Sequence, residues 1–255
     1  MRIRETAVAG QFYPADPDSL RTMIRGFLAQ VQGTGPTPKA IIAPHAGYRF
    51  SGPIAASAYA RLQGATFERV LLLGPAHTVQ LRGIAASSAE AFATPLGHVP
   101  VDVTAVQTSL TLPQVQLIDE AHRREHGLEV HLPFLQMVCQ DVAIVPFVVG
   151  MVETAVLTHL LDTLYTPHTL IIISSDLSHY HDYATAQQLD KATSQAIEQL
   201  QSELVEQACG RYPIRGLLQF AKKQSWQAQT LDLRNSGDTG GPHNRVVGYG
   251  AYTFH

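Results

Sequence analysis

Three short runs of branched aliphatic residues, each ending in a turn that carries a histidine, constrain this 255-residue chain more than any other feature. They are residues 39–45 (Lys-Ala-Ile-Ile-Ala-Pro-His), 70–77 (Val-Leu-Leu-Leu-Gly-Pro-Ala-His) and 170–179 (Leu-Ile-Ile-Ile-Ser-Ser-Asp-Leu-Ser-His). A continuous apolar run of this length, closed by Pro, Gly or Ser, fits a strand covered on both faces, as in a parallel sheet. In open α/β sheets, ligands collect in the crevice beyond the carboxyl ends of the strands. If the three strands are parallel neighbours, His45, His77 and His179 converge on that crevice as a metal or acid–base site.

Helical stretches alternate with these runs. Helices are expected over 18–31, 51–62, 103–110, 154–164, 183–200, 202–208 and 213–223, with 122–139 mostly helical but restarted at Pro133. Further strands are expected at 142–148, 228–233 and 245–254, with a β-rich stretch over 82–101. The β-α-β-α order is the α/β signature. Without a fixed-period repeat or a long linker, the chain reads as a single α/β domain over residues 1–255, with a mostly parallel or mixed central sheet flanked by helices.

Composition narrows the partners. The formal charge is −3, from 18 basic and 21 acidic residues with no basic block, which gives no nucleic-acid footprint and no anionic-membrane surface. No stretch approaches the roughly 20 apolar residues of a membrane span. The N-terminus lacks the apolar core of a signal peptide, and two cysteines form no disulfide framework, so a cytoplasmic, reduced protein is expected. The partner expected is a small molecule or peptide.

Twelve histidines carry the chemistry. His45 and His77, each just past a strand end, read as a pair of metal ligands; the plainer alternative is turn histidines that cap carbonyls or face water. In Ser174-Ser-Asp-Leu-Ser-His179-Tyr-His181-Asp182, Asp176 stands three residues before His179. A carboxylate on one ring nitrogen would fix the tautomer and raise imidazole basicity, giving Asp176 and His179 a catalytic role. His181 belongs to the pocket in the same reading, unless the segment is only a capped helix start. Glu125-His126-Gly-Leu-Glu129-Val-His131 lacks the spacing of a zinc-protease helix. If helical, it puts Glu125 and Glu129 on one face, where like charges repel unless a cation or donor intervenes. His126, Glu129, His131 and Tyr48 are therefore expected to line the pocket or support its ligands. Cys209 precedes Gly210-Arg-Tyr-Pro. At the end of the expected helix 202–208 its thiol gains nothing toward thiolate, although a metal would deprotonate it. No phosphate-binding or nucleophile-elbow motif competes.

Several blocks closely resemble the Memo family, whose prokaryotic members are called AmmeMemoRadiSam system protein B. They are residues 9–14 (Ala-Gly-Gln-Phe-Tyr-Pro), 43–53 (Ala-Pro-His-Ala-Gly-Tyr-Arg-Phe-Ser-Gly-Pro), 73–77 and 125–134. Residues 174–179, 209–214 (Cys-Gly-Arg-Tyr-Pro-Ile) and 246–251 complete the set. They run in order over nearly the whole chain. The resemblance implies a fold similar to the class III extradiol dioxygenases, which are non-haem iron enzymes. It matches His45 and His77 to histidine ligands and His179 to the acid–base histidine. Cys209 is matched to the position at which the dioxygenases supply a carboxylate ligand. A soft thiolate there favours Cu(I) or Zn(II), or retunes iron, and weakens any inference to ring cleavage. The resemblance also implies iron or copper, with zinc as a third candidate, and radical-SAM and AMMECR-type proteins as partners. Three functions follow as expectations: a metal-dependent redox or oxygenase-like activity; a non-catalytic metal- or peptide-binding module; and a zinc-type hydrolase.

Overall fold

The computed structural model describes residues 1–139 and 141–255. In chain order the elements begin with β1 (Ile3–Arg4), α1 (Pro17–Leu28), β2 (Ala40–Ala43), α2 (Tyr48–Tyr59), β3 (Arg69–Pro75), β4 (Ile84–Ala86), β5 (Ala91–Thr94) and β6 (Gly97–Pro100). Next come α3 (Val103–Ser109), β7 (Val115–Leu117), α4 (Asp119–Arg123), α5 (His126–Glu129), α6 (Leu132–Val138), β8 (Ala143–Val149) and α7 (Thr154–Leu164). The chain ends with β9 (Thr169–Ser174), β10 (His179–His181), α8 (Tyr183–Glu198), α9 (Arg211–Lys223), β11 (Ala228–Asn235) and β12 (Val246–Phe254).

The three histidine-bearing strands are neighbours. The main sheet runs β10-β12-β2-β9-β3-β8-β4-β7, with β11 also paired to β12. Strands β2, β9, β3 and β8 are parallel, with Ile41 opposite Ile172 and Leu72 opposite both Ile172 and Pro146. β12 joins β2 antiparallel and β4 joins β8 antiparallel, so the sheet is mixed around a parallel centre. Ile41, Ile42, Leu71, Leu72 and Ile171 to Ile173 have no exposed surface. Burying such a side chain contributes roughly 1.5–3 kcal/mol, which explains why unbroken aliphatic runs take the central positions. Helices α7 and α9 pack together with α3 behind them, while α1, α2 and α6 form another helical layer. A small second sheet, β1-β5-β6, carries the N-terminal segment.

Three expectations need correction. The helix expected from residue 51 begins at Tyr48, because the Tyr48 amide is taken by the Phe12 carbonyl at 2.7 Å and the helix nucleates on Gly47; Pro53 consequently lies inside it. The helix expected over 202–208 shrinks to a 3-10 turn, Ser202–Leu204, whose first carbonyl accepts from Arg215 Nε. Residues 179–181 form a short strand instead of leading directly into α8, since the chain after β9 crosses to pair with β12. There the Leu177 amide donates to Gly248 and the Gly248 amide donates to Ser178.

Candidate metal centre

Strands β2 and β3 deliver His45 and His77 two residues past their carboxyl ends, and α5 begins with His126. One ligand-capable atom from each of these residues lies within 4.8 Å of the other two. The His77 and His126 rings stack at 4.5 Å, and His45 stands edge-on to both at 4.9 and 5.4 Å. Gly127 permits this approach: a Cβ there would lie 3.1 Å from Glu125 Oε1, 3.5 Å from His77 Cε1 and 3.6 Å from His45 Nδ1.

The hydrogen bonds set the tautomers. Ser174 Oγ donates to the Gly127 carbonyl at 2.5 Å, so at 2.7 Å from His45 Nδ1 it must accept from that ring. A hydroxyl has only one proton to donate. In the neutral ring, Nε2 is left as a lone pair. His77 Nδ1 lies 2.7 Å from Glu125 Oε1, and the other carboxylate oxygen accepts the His77 amide at 2.7 Å. His77 Nε2 is thereby also free to ligate, in the carboxylate–histidine arrangement common behind metal-binding imidazoles.

Burial holds His45 well below the ordinary histidine range, with repulsion from His77, His126, His131 and His179 adding to it. His126 is lowered by burial and by His77. Burial works against the Glu125 carboxylate, but its hydrogen bonds and charge interaction with His77 outweigh that and keep it below its usual range. Burial thus favours the neutral imidazole at His45 and His126, the form that metal binding requires.

Cys209 meets the cluster at His45 and stands outside the group of three mutually close ligand atoms. Its Sγ is 3.3 Å from His45 Nε2 and accepts the Asp176 amide at 3.3 Å. Gly210 makes the approach possible, because a Cβ there would come within 2.7 Å of the Ser174 carbonyl oxygen and Ser175 Cβ. No α-helix ends at Cys209 after all; it stands just before α9. Burial and the neighbouring Asp176 nevertheless push the thiol up to about 12, so in the metal-free protein it is an S–H donor facing the His45 lone pair.

The remaining expected site residues divide. His179 is half-buried at the start of β10. Burial lowers its pKa, the Leu177 carbonyl opposes this, and charge on His77 and His181 adds to the lowering. Asp176 is not used as a partner for that ring: Oδ1 accepts the His45 amide at 2.8 Å, and burial raises its carboxyl to about 7. It thus positions the His45 turn. His181 lies half-exposed on β10. Glu129 is fully buried and binds Arg4, the Ala7 and Val8 amides and the Tyr13 hydroxyl, fastening the N-terminal segment. His131 Nδ1 meets Tyr59 Oη at 2.8 Å in the core, and the Tyr48 hydroxyl donates to the Val130 carbonyl. Two residues that orient the cluster, Glu125 and Ser174, stood in the sequence blocks without an assigned role. The signal for Glu125 was its place directly before His126.

Comparison with known proteins completes the picture. The family described as Memo-like protein matches residues 4–253. The chain belongs to the Memo family. A MEMO1 family protein of Aquifex aeolicus is 37% identical over 263 residues, covering 98% of each chain. One from Methanopyrus kandleri is 34% identical over 279 residues, again covering 98% of both. Among solved structures, an uncharacterized protein of Escherichia coli K12 superimposes with a TM-score of 0.57 at 13% identity, covering 84% of this chain and 98% of that one. That likeness shows the fold alone. Memo membership accounts for the ordered blocks from Ala9 to Ala251, and among the described residues no helix is long and apolar enough to cross a membrane.

Proposed function

We propose that this Memo-family protein binds a transition metal at the His45–His77–His126 cluster, with Cys209 as a further donor, and uses it in redox or oxygenase-like chemistry on a small molecule. The observation that carries the reading is the convergence of three imidazoles at adjacent strand ends, with His45 and His77 held by Ser174 and Glu125 in the tautomer that leaves Nε2 free. Imidazole nitrogens suit iron, copper and zinc, and a thiolate shifts the preference toward Cu(I) or zinc. The donor set therefore fits such an ion, with iron or copper as the proposed metal.

A bound redox-active ion would supply the electron transfer. The protein's own part is positional and protolytic. Glu125 holds the His77 ring and amide, Asp176 holds the His45 turn, and Ser174 bridges His45 to the α5 backbone. His179, half-buried beside the cluster, takes or gives a proton to a ligand in the crevice. The Cys209 thiol would have to give up its proton to serve as a donor to such an ion.

Elemental analysis of anaerobically purified protein and of His45→Ala, His126→Ala and Cys209→Ala variants tests the site. Stoichiometric metal in the parent, lost on substitution of His45 or His126, is expected. Undiminished metal in both histidine variants would sink the assignment. Aerobic turnover abolished in His179→Ala with metal retained supports catalysis, whereas a metal-loaded protein inert toward catechols, thiols and peptides identifies a binding module instead.

A further inference from the structure

Four non-glycine residues among those described have left-handed backbone: Asp141, Tyr180, Leu200 and Ser225. Leu200 and Ser225 follow directly on the ends of α8 and α9, where this conformation commonly closes a helix. Asp141 lies in the connection between α6 and β8. Tyr180 is different. It sits in the middle of β10, at φ 65°, where the pairing with β12 shifts register between His179 and His181. An aromatic side chain in that conformation is a genuine outlier and is strained. Burial does not offset it, because Tyr180 is 62% exposed.

The bulge has a directional consequence. Such insertions turn side chains near functional sites, and here His179 is half-buried beside the histidine cluster while Tyr180 is exposed to solvent. The Tyr180 ring meets His179 edge-on, with centroids 5.8 Å apart. The guanidinium of Arg245, just ahead of β12, lies 4.3 Å over the Tyr180 ring. Arg245 is exposed, and among the described residues no carboxylate pairs with it. A guanidinium stacked on an aromatic face keeps its in-plane N–H fork free, and that fork matches two oxygens of one anion.

We infer that Arg245, held on the Tyr180 platform, is the residue that binds an oxyanion group of this site's ligand, placing the ligand against His179. The ligand class is a small molecule bearing a carboxylate or a phosphate. The inference rests on the reading of the crevice as a substrate site, but needs no particular metal there. Arg245 and Tyr180 position the ligand and take no part in bond making. The left-handed backbone at Tyr180 keeps its ring against the neighbouring His179 ring, where an ordinary strand residue would alternate away from it.

The test follows the His179 Cε1–H resonance, assigned by its loss in His179→Gln, while benzoate, inorganic phosphate or benzyl alcohol is titrated in. Metal content is measured on the same samples. A saturable shift with an anion and none with the neutral alcohol is expected, weakened at least tenfold by Arg245→Gln and partly restored in Arg245→Lys. Tyr180→Gly accepts the backbone but removes the platform, and weakens binding, whereas Tyr180→Phe preserves it. Saturation by benzoate alone identifies a carboxylate ligand, and by phosphate alone a phosphorylated one. Equal affinity for benzyl alcohol and benzoate, an unchanged response in Arg245→Gln, or no saturable shift with either anion overturns the inference. Undiminished metal in His45→Ala and His126→Ala, with anion binding retained, would remove the metal reading and leave this inference standing, so the two fail separately.

Discussion

Glu125 and Glu129 stand four residues apart in one segment and do opposite work. Glu125 faces the imidazoles, where it holds the His77 ring and amide and the Gly127 amide. Glu129 faces the N-terminal segment, where it gathers Arg4, two backbone amides and the Tyr13 hydroxyl. Both are buried anions with a full set of donors, which is what makes a buried charge tolerable. One orients a candidate ligand and the other fastens the first residues of the chain to the body. Arg4 joins the two, since it also donates to the Glu125 and His122 carbonyls. A carboxylate's surroundings, and not its residue type or spacing, decide whether it serves the site or the fold.

Substitutions separate the two roles. Glu129→Ala leaves Arg4 buried without its counter-charge, and a loss of about 3–5 kcal/mol in unfolding free energy is expected from denaturant titration. A change below 1 kcal/mol would mean that the N-terminal anchor is not structural.

Acidification probes the same side. Burial lowers His122, whose backbone carries the Arg4 contact, to about 4, and lowers His131 to about 3. In the unfolded chain both take protons near pH 6.5, so the unfolded state binds more protons over the interval between. Stability is therefore full above about pH 6.5 and falls as the pH drops toward 4, by on the order of 3 kcal/mol for His122 alone. The comparison of unfolding curves for the parent and His122→Asn at pH 7.5 and 4.5 checks this. The variant should lose less on acidification, and an equal loss would contradict it.

Glu125→Gln has the smaller effect on folding and the sharper effect on metal. It keeps the shape but removes the charge behind His77, and metal affinity is expected to fall about 10–100-fold by competitive chelator titration. Unchanged affinity would move Glu125 out of the site. Smallest of all, Tyr59→Phe deletes the hydrogen bond to His131 and is expected to reduce stability by about 1 kcal/mol without altering metal content.

Much of the fold was legible in the residues. Strand β9 covers the aliphatic start of the 170–179 run and helix α7 occupies the expected residues 154–164, because an unbroken aliphatic run and a 3.6-residue apolar period each leave one structure. The convergence of His45 and His77 followed from the parallel strand ends. The Glu125–Glu129 segment was not legible in the same way. A helical reading put both carboxylates on one face, but α5 is a single turn that starts at His126, and Glu125 is its extended N-cap, with φ −76° and ψ 121°. Spacing rules fail when the helix is no longer than the spacing. The bulge at Tyr180 was likewise unreadable, because it lies in the pairing of β10 with β12, two strands later in the chain.

By itself the sequence determined the layered α/β class, the parallel central strands and the histidines at their ends, since these depend on local periodicity and on the burial that aliphatic runs demand. The tertiary structure alone decided which polar groups meet. It turned Asp176 to the His45 amide, gave Glu125 to His77 and Glu129 to Arg4, and brought Cys209 within 3.3 Å of His45 Nε2. Hydrogen bonds and ion pairs act over a few ångströms, and only the folded chain brings residues 48 to 164 positions apart to that range.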